Sequence, residues 1–176
     1  MKRSIIAFVV SASILSGCSA IQSIVRSTFP YTATLSVPAS SSTDVVQSVT
    51  AQASSFDQIF TGQGSNTNAI TDVRLSSVKL DANYPSGQSF VVFKSIKIYI
   101  SRGDSSQEQL IATRDNIAST VANSIMLDAD TTILLDDYIK ESTVRIRMEY
   151  VKREASNADI TVKVSLGFDA APNTRK

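Results

Sequence analysis

Most of this chain alternates apolar and polar side chains with a period of two. Tyr31, Ala33, Leu35 and Val37 occupy one face of a first strand over Phe29 to Val37, which Pro38 ends. From Ile70 the same period returns. Val73 and Leu75 keep one phase, whereas Val78, Leu80, Ala82 and Tyr84 keep the other, so a β-bulge is expected at Ser76-Ser77. Pro85-Ser86-Gly87-Gln88 reads as a turn, and Phe90 to Phe93 as one helical turn before Ile96, Ile98 and Ile100 resume the alternation. Gln109 to Thr113 and Ser124 to Leu127 read as short strands. Near the carboxy terminus, Val144, Ile146, Met148 and Tyr150 alternate with polar partners, as do Ile160, Val162, Val164, Leu166 and Phe168. With the polar stretch Lys152 to Asp159 between them, these two runs are expected to form a long antiparallel hairpin.

One segment departs from this period. Val45, Val49, Ala53, Phe56 and Phe60 recur near 3.6 residues, so residues 44–60 are expected to be helical, with Thr43 or Asp44 as cap. The β-branched Val45, Val46, Val49 and Thr50 support strand as the alternative. Thr61 to Asn68 is a polar loop by composition. About seven strands without regular helices between them predict a mainly β chain: a single antiparallel two-sheet β-sandwich of immunoglobulin-like form, with one or two short helices.

The amino terminus carries a different pattern. Met1-Lys2-Arg3 is followed by an apolar run from Ile5 to Leu15 that ends in Ser16-Gly17-Cys18. A basic start, an apolar run of ~7 to 15 residues and a small-residue cleavage site make a secretory signal. The run falls short of the ~20 residues that a spanning helix needs. Leu15-Ser16-Gly17-Cys18 resembles the lipobox of bacterial lipoprotein precursors. That resemblance implies a diacylglyceryl thioether on Cys18, cleavage after Gly17, and acylation of the new amine, commonly by palmitate. Cys18 would be the first residue of the mature protein. Ser19, in place of the aspartate associated with inner-membrane retention, implies sorting to the outer membrane. The mature part resembles the uncharacterised Gram-negative lipoproteins with an immunoglobulin-like β-sandwich. The expected organisation is a signal peptide over 1–17, a lipidated tether over 18–28, a β-sandwich over 29–170 and a disordered tail over 171–176.

Composition narrows the functions open to such a domain. Removing Lys2 and Arg3 from 17 basic residues leaves 15 against 16 acidic ones, which is no basis for nucleic-acid binding. Cys18 is the only cysteine, so no disulfide stabilises the fold. Histidine is absent, which excludes Ser-His-Asp and Cys-His catalysis and the common zinc ligand sets. Tryptophan, the best stacking platform for sugars and cations, is absent too.

A few constellations remain to be weighed. Asp128, Asp130, Asp136 and Asp137 offer oxygen ligands suited to calcium, but they lack EF-hand spacing and read first as turn and cap carboxylates. A carboxylate pair among them would be needed for a carboxylate-only hydrolase. Arg102-Gly103-Asp104 matches an adhesive tripeptide and is equally ordinary turn chemistry. Tyr138 stands either as a tyrosine corner or on a short helix from Leu134 to Lys140. Arg145, Arg147, Arg153 and Lys163 are expected to decorate an outward face, mixed with acidic residues.

The resulting expectation is a non-enzymatic, lipid-anchored envelope module with a structural or binding role. No cofactor is expected apart from the lipid on Cys18. Its partners would be the membrane, through that anchor, and an envelope protein or glycan. The alternative is a carbohydrate- or peptide-binding module using loops 61–69 and 101–108. Circular dichroism of the chain from residue 19 onward should be dominated by β-structure, and a helix-rich spectrum would defeat the fold expectation.

Overall fold

Wherever side chains alternate along the chain, the computed structural model places strands; it describes residues 29–54, 70–104, 106–120, 122–139 and 143–172. The strands are β1 (Phe29–Val37), β2 (Val46–Ser54), β3 (Ile70–Tyr84), β4 (Phe93–Arg102), β5 (Gln109–Arg114), β6 (Ser124–Ala129), β7 (Thr143–Lys152) and β8 (Ile160–Pro172). A 3₁₀ turn at Phe90–Val92 and a single helical turn, α1 (Asp136–Ile139), interrupt them. The mainly β, antiparallel expectation holds. The ladder, however, is continuous: one eight-stranded sheet in the order β1-β8-β3-β6-β5-β4-β7-β2. Its end strands β1 and β2 approach within 8 Å between Cα atoms, so the sheet nearly closes into a barrel. The expectation was of two separate sheets; the strip that joins the halves is the short β5–β6 ladder, Ala112↔Ala129 and Thr113↔Asp128.

The inward faces are those the alternation indicated. Leu35 and Val37 of β1, Leu80 of β3, Ile96 and Ile98 of β4, Ile146 and Met148 of β7, and Val162 and Val164 of β8 are all essentially inaccessible to water. At ~1.5 to 3 kcal/mol for each fully buried aliphatic side chain, this core carries the stability that no disulfide supplies. The bulge at Ser76-Ser77 is present, as a register shift between Leu75 and Ser77 opposite β8. Gly167 makes room for it, because a Cβ there would lie 2.5 Å from the Ser77 hydroxyl oxygen and 3.0 Å from that of Ser76. The slip lets Leu75 and Val78 both face inward despite their odd spacing.

Two expectations fail. Residues 46–54 are strand rather than helix, paired along β7 from Val46↔Val151 to Ser54↔Thr143. Val49 and Ala51 face the core, whereas Val46, which a helical reading leaves unexplained, is 63% exposed. A neighbouring ladder and β-branched composition outweigh an approximate 3.6-residue period. The remainder of the expected helix, 55–60, lies outside the described residues. Second, β7 and β8 do not form a hairpin: β7 pairs with β2 and β4, and β8 with β1 and β3. The 153–159 connection crosses between the two halves of the sheet, held by Arg153 N–H to the Val92 carbonyl at 2.8 Å and by a two-way backbone bridge between Ser156 and Ser40. Strand β8 runs on to Pro172, and the rest of the segment expected as a tail, 173–176, lies outside the described residues.

The strand directions define two ends. One end carries the start of β1, the 103–108 turn and the 130–139 connection; the other carries residues 38–45, 85–92, 115–123 and 153–159. Within the core, burial pushes the Tyr31 hydroxyl up to about 12. An unfolded chain releases that proton near ~10, so above that pH the native state binds more protons than the unfolded state and stability falls as pH rises toward about 12. Urea unfolding at about pH 9 and about pH 11 should show this loss, and Tyr31→Phe should remove its share of it.

Candidate functional site

Cys18 lies outside the described residues, whereas the acidic candidates gather at the end where β1 begins and are held there by bonds to neighbouring residues. In the 130–139 connection, the Asp130 carboxylate accepts from the Thr132 backbone N–H at 2.9 Å and from its hydroxyl at 2.6 Å. These bonds, led by the hydroxyl, hold its pKa below the usual carboxylate range. The Asp136 carboxylate accepts from the Val73 N–H at 3.1 Å, while Leu135 N–H donates to the Val73 carbonyl at 2.8 Å. This pair satisfies β3 where its ladder with β8 is irregular, between Thr71 and Arg74. Asp128, on β6, pairs with Arg114 at 3.3 Å. Asp137 contributes its backbone carbonyl to Arg102 at 3.5 Å. Among the described residues no group of three or more acidic, histidine or cysteine side chains is arranged to hold a metal ion.

The clefts at this end are shallow and charged. One of about 280 Å³ is lined by Asp72, Arg74, Thr131 and Asp169 among others, and its neighbour, about 340 Å³, by Asp72, Leu134, Asp136 and Asp137. Arg74 spans their border, donating to Asp72 at 2.8 Å and to the Thr132 carbonyl at 2.5 Å. The Arg102-Gly103-Asp104 turn links β4 to β5 as turn chemistry anticipates. Its arginine is turned toward Asp137, and the Asp104 carboxylate accepts from the Ser106 N–H at 2.8 Å. Of the two loops proposed for ligand binding, 61–69 lies outside the described residues. Tyr138 sits on α1, half-buried against the core, as the short-helix alternative has it.

The basic residues divide. Arg147 stands on the outer face of β7 in a two-pronged pair with Glu108, both contacts 2.7 Å, with Glu149 at 3.2 Å and its guanidinium 4.0 Å from the centre of the Tyr99 ring. The Arg147 hydrogen bond holds the Glu108 carboxyl below its usual range. Such a clamp ties the 106–108 turn to the sheet, and a mixed-charge face is what the interleaving indicated. Arg153 is not outward: it reaches under the opposite end to the carbonyls of Val91, at 3.1 Å, and Ile117, at 2.6 Å.

One arrangement escaped the sequence entirely. Lys152, at the last position of β7, is fully buried. Its Nζ lies 2.8 Å from the Pro38 carbonyl and 2.7 Å from the Ser156 hydroxyl, with no carboxylate in ion-pair range among the described residues. Burial lowers its pKa, partly offset by the charge of Asp159. The only signal was phase: Lys152 continues the inward series Val144, Ile146, Met148, Tyr150. From sequence alone, a lysine at that position reads as the start of the polar Lys152 to Asp159 stretch. Beside it, Phe93 stacks edge-on against Tyr150 at 5.5 Å and lies 5.9 Å from Phe90, which closes this end of the core.

No protein-family model matches the chain, and no curated protein matches it. Among solved structures, a chain from Desmodium yellow mottle tymovirus is similar over 86% of this chain and 91% of its own, at 9% identity and a TM-score of 0.23. A likeness that slight carries no argument about fold or function.

Asp136→Ala should lower the free energy of unfolding by about 1–3 kcal/mol, because the Val73 N–H loses a charged acceptor, and Asp136→Asn by less. Added calcium should leave the melting temperature of the wild-type chain unchanged. A calcium-dependent rise of several degrees would reassign the aspartates as ligands.

Proposed function

We propose that the protein is a lipid-anchored module of the bacterial cell envelope, held at the outer membrane through Cys18 and serving a structural or binding role rather than turning over a substrate. The observation that carries this reading is the Leu15-Ser16-Gly17-Cys18 lipobox behind a basic start and a short apolar run. Two or three acyl chains on one residue give stable anchoring, which a single chain does not.

The fold is compatible with such a role. Strand β1 begins at Phe29, so on this reading residues 18–28 form the tether, spanning at most ~3.3 to 3.6 Å per residue. The end bearing the 103–108 turn and the aspartate-lined clefts then faces the lipid. The end with Lys152 faces away, toward an envelope protein or glycan partner. The finer immunoglobulin-like reading takes β1-β8-β3-β6 and β5-β4-β7-β2 as two leaves of a sandwich, and the shortness of the β5–β6 ladder supports it.

Cys18→Ser separates this reading from a merely secreted domain. The wild-type protein should fractionate with the outer membrane, and the variant should appear as an unlipidated precursor outside it. Unchanged fractionation would remove the anchor from the account.

A further inference from the structure

The end of the sheet opposite the β1 start holds the one buried amine without a carboxylate among the described residues. A lysine ammonium has three N–H donors and no acceptor, and burying it unpaired is costly. Around Lys152 Nζ the structure has two hydrogen-bond partners, the Pro38 carbonyl at 2.8 Å and the Ser156 hydroxyl at 2.7 Å. A neutral amine fits that pair: one N–H donates to Pro38, and the lone pair accepts the Ser156 O–H. Burial favours the neutral form. Of the charged groups on the elements packed here, the Asp159 carboxylate accepts from the Ala39 N–H at 2.8 Å and its charge partly offsets the effect of burial on Lys152, the Asp44 carboxylate pairs with Lys94 at 3.1 Å, and the Arg153 guanidinium is bonded to carbonyls.

Ser156 is fixed as well. Its backbone bridges Ser40 in both directions, at 3.0 and 3.1 Å, so the hydroxyl is held on the sheet end rather than on a free loop. The residue is half-buried and lines an open cleft of about 340 Å³ with Pro85, Ser89, Val91 and Val92. A hydroxyl in hydrogen-bond reach of a buried base, with the base oriented by a third group and a cavity alongside, is the arrangement of an activated nucleophile. Ser-Lys pairs are a variant of that logic that needs no histidine.

We propose that Lys152 activates Ser156 as a nucleophile that takes the acyl group of a small carboxylic ester bound in this cleft. Lys152 Nζ accepts the hydroxyl proton as Ser156 Oγ bonds to the carbonyl carbon. The bond from that carbon to the ester oxygen breaks, and the lysine proton passes to the departing alkoxide. This leaves an acyl-serine, a neutral lysine and a free alcohol. The reaction adds covalent capture to the binding role proposed above and is independent of the anchor.

The test is incubation of the full chain with p-nitrophenyl acetate. p-Nitrophenolate should be released and one acetyl group should map to Ser156 by peptide mass spectrometry, with a rate that rises with pH as Lys152 loses its proton. Ser156→Ala and Lys152→Met should each lower that rate on the order of a hundredfold, the scale of a lost general base. Lys152→Arg keeps a cationic donor but supplies no base: the rate should fall while the melting temperature is largely retained. A rate unchanged in Ser156→Ala or Lys152→Arg, or acetyl found only on other residues, would overturn the proposal and leave Lys152 as a structural plug.

Discussion

The longest pairing in the molecule, between β3 and β8, is the constraint on which the sheet depends. It runs from Ile70↔Pro172 to Tyr84↔Thr161, and β8 pairs with β1 along its other edge. Half of the sheet is organised around these two strands, and Leu75 and Val78 of β3, three residues apart, must both face inward, which an unbroken alternation forbids. The bulge at Ser76-Ser77 resolves this, and Gly167 is the residue that permits it, since any side chain there would meet the serine hydroxyls. A second irregularity, between Thr71 and Arg74, frees the Val73 backbone to bond with the 130–139 connection, where Asp136 and Leu135 satisfy it. At this second departure from regular pairing the sheet attaches a loop.

The same economy explains the acidic residues at the β1 end. A carboxylate is a strong acceptor for a backbone N–H or a guanidinium, and Asp128, Asp130 and Asp136 each have such a partner. Their proximity in the sequence therefore reflects a connection that needs several acceptors. At the opposite end the chemistry differs. Aromatic packing of Phe90, Phe93 and Tyr150 closes the core, and the crossing connections 38–45 and 153–159 are tied by the Ser40–Ser156 bridge. Lys152 lies beneath that bridge, so its amine is both a tie between the two crossings and the only base that this end buries among the described residues.

The outer face shows how little the exposed charges contribute by comparison. Arg147 with Glu108 and Glu149 is a well-formed cluster, and its two-pronged geometry with the Tyr99 ring beneath gives it more worth than the scattered pairs at Lys94 or Arg114. Its effect is local: it holds the 106–108 turn against the sheet.

Alternation by itself determined which face of nearly every strand is buried, where the bulge falls and where the turns lie, because those properties follow from the period of a few consecutive side chains. The amino-terminal pattern likewise singled out Cys18 without any fold. Only the tertiary structure decided which strands pair. Residues 46–54 look helical in isolation and become a strand because β7 offers a ladder, and β7 and β8 look like a hairpin and separate because each finds two better neighbours. Lys152 and Ser156, four positions apart at the end of one strand, become a pair only when the crossing connection folds back over the buried amine. Local periodicity encodes orientation, whereas partner choice is set by competition among distant segments for the same hydrogen bonds and the same core.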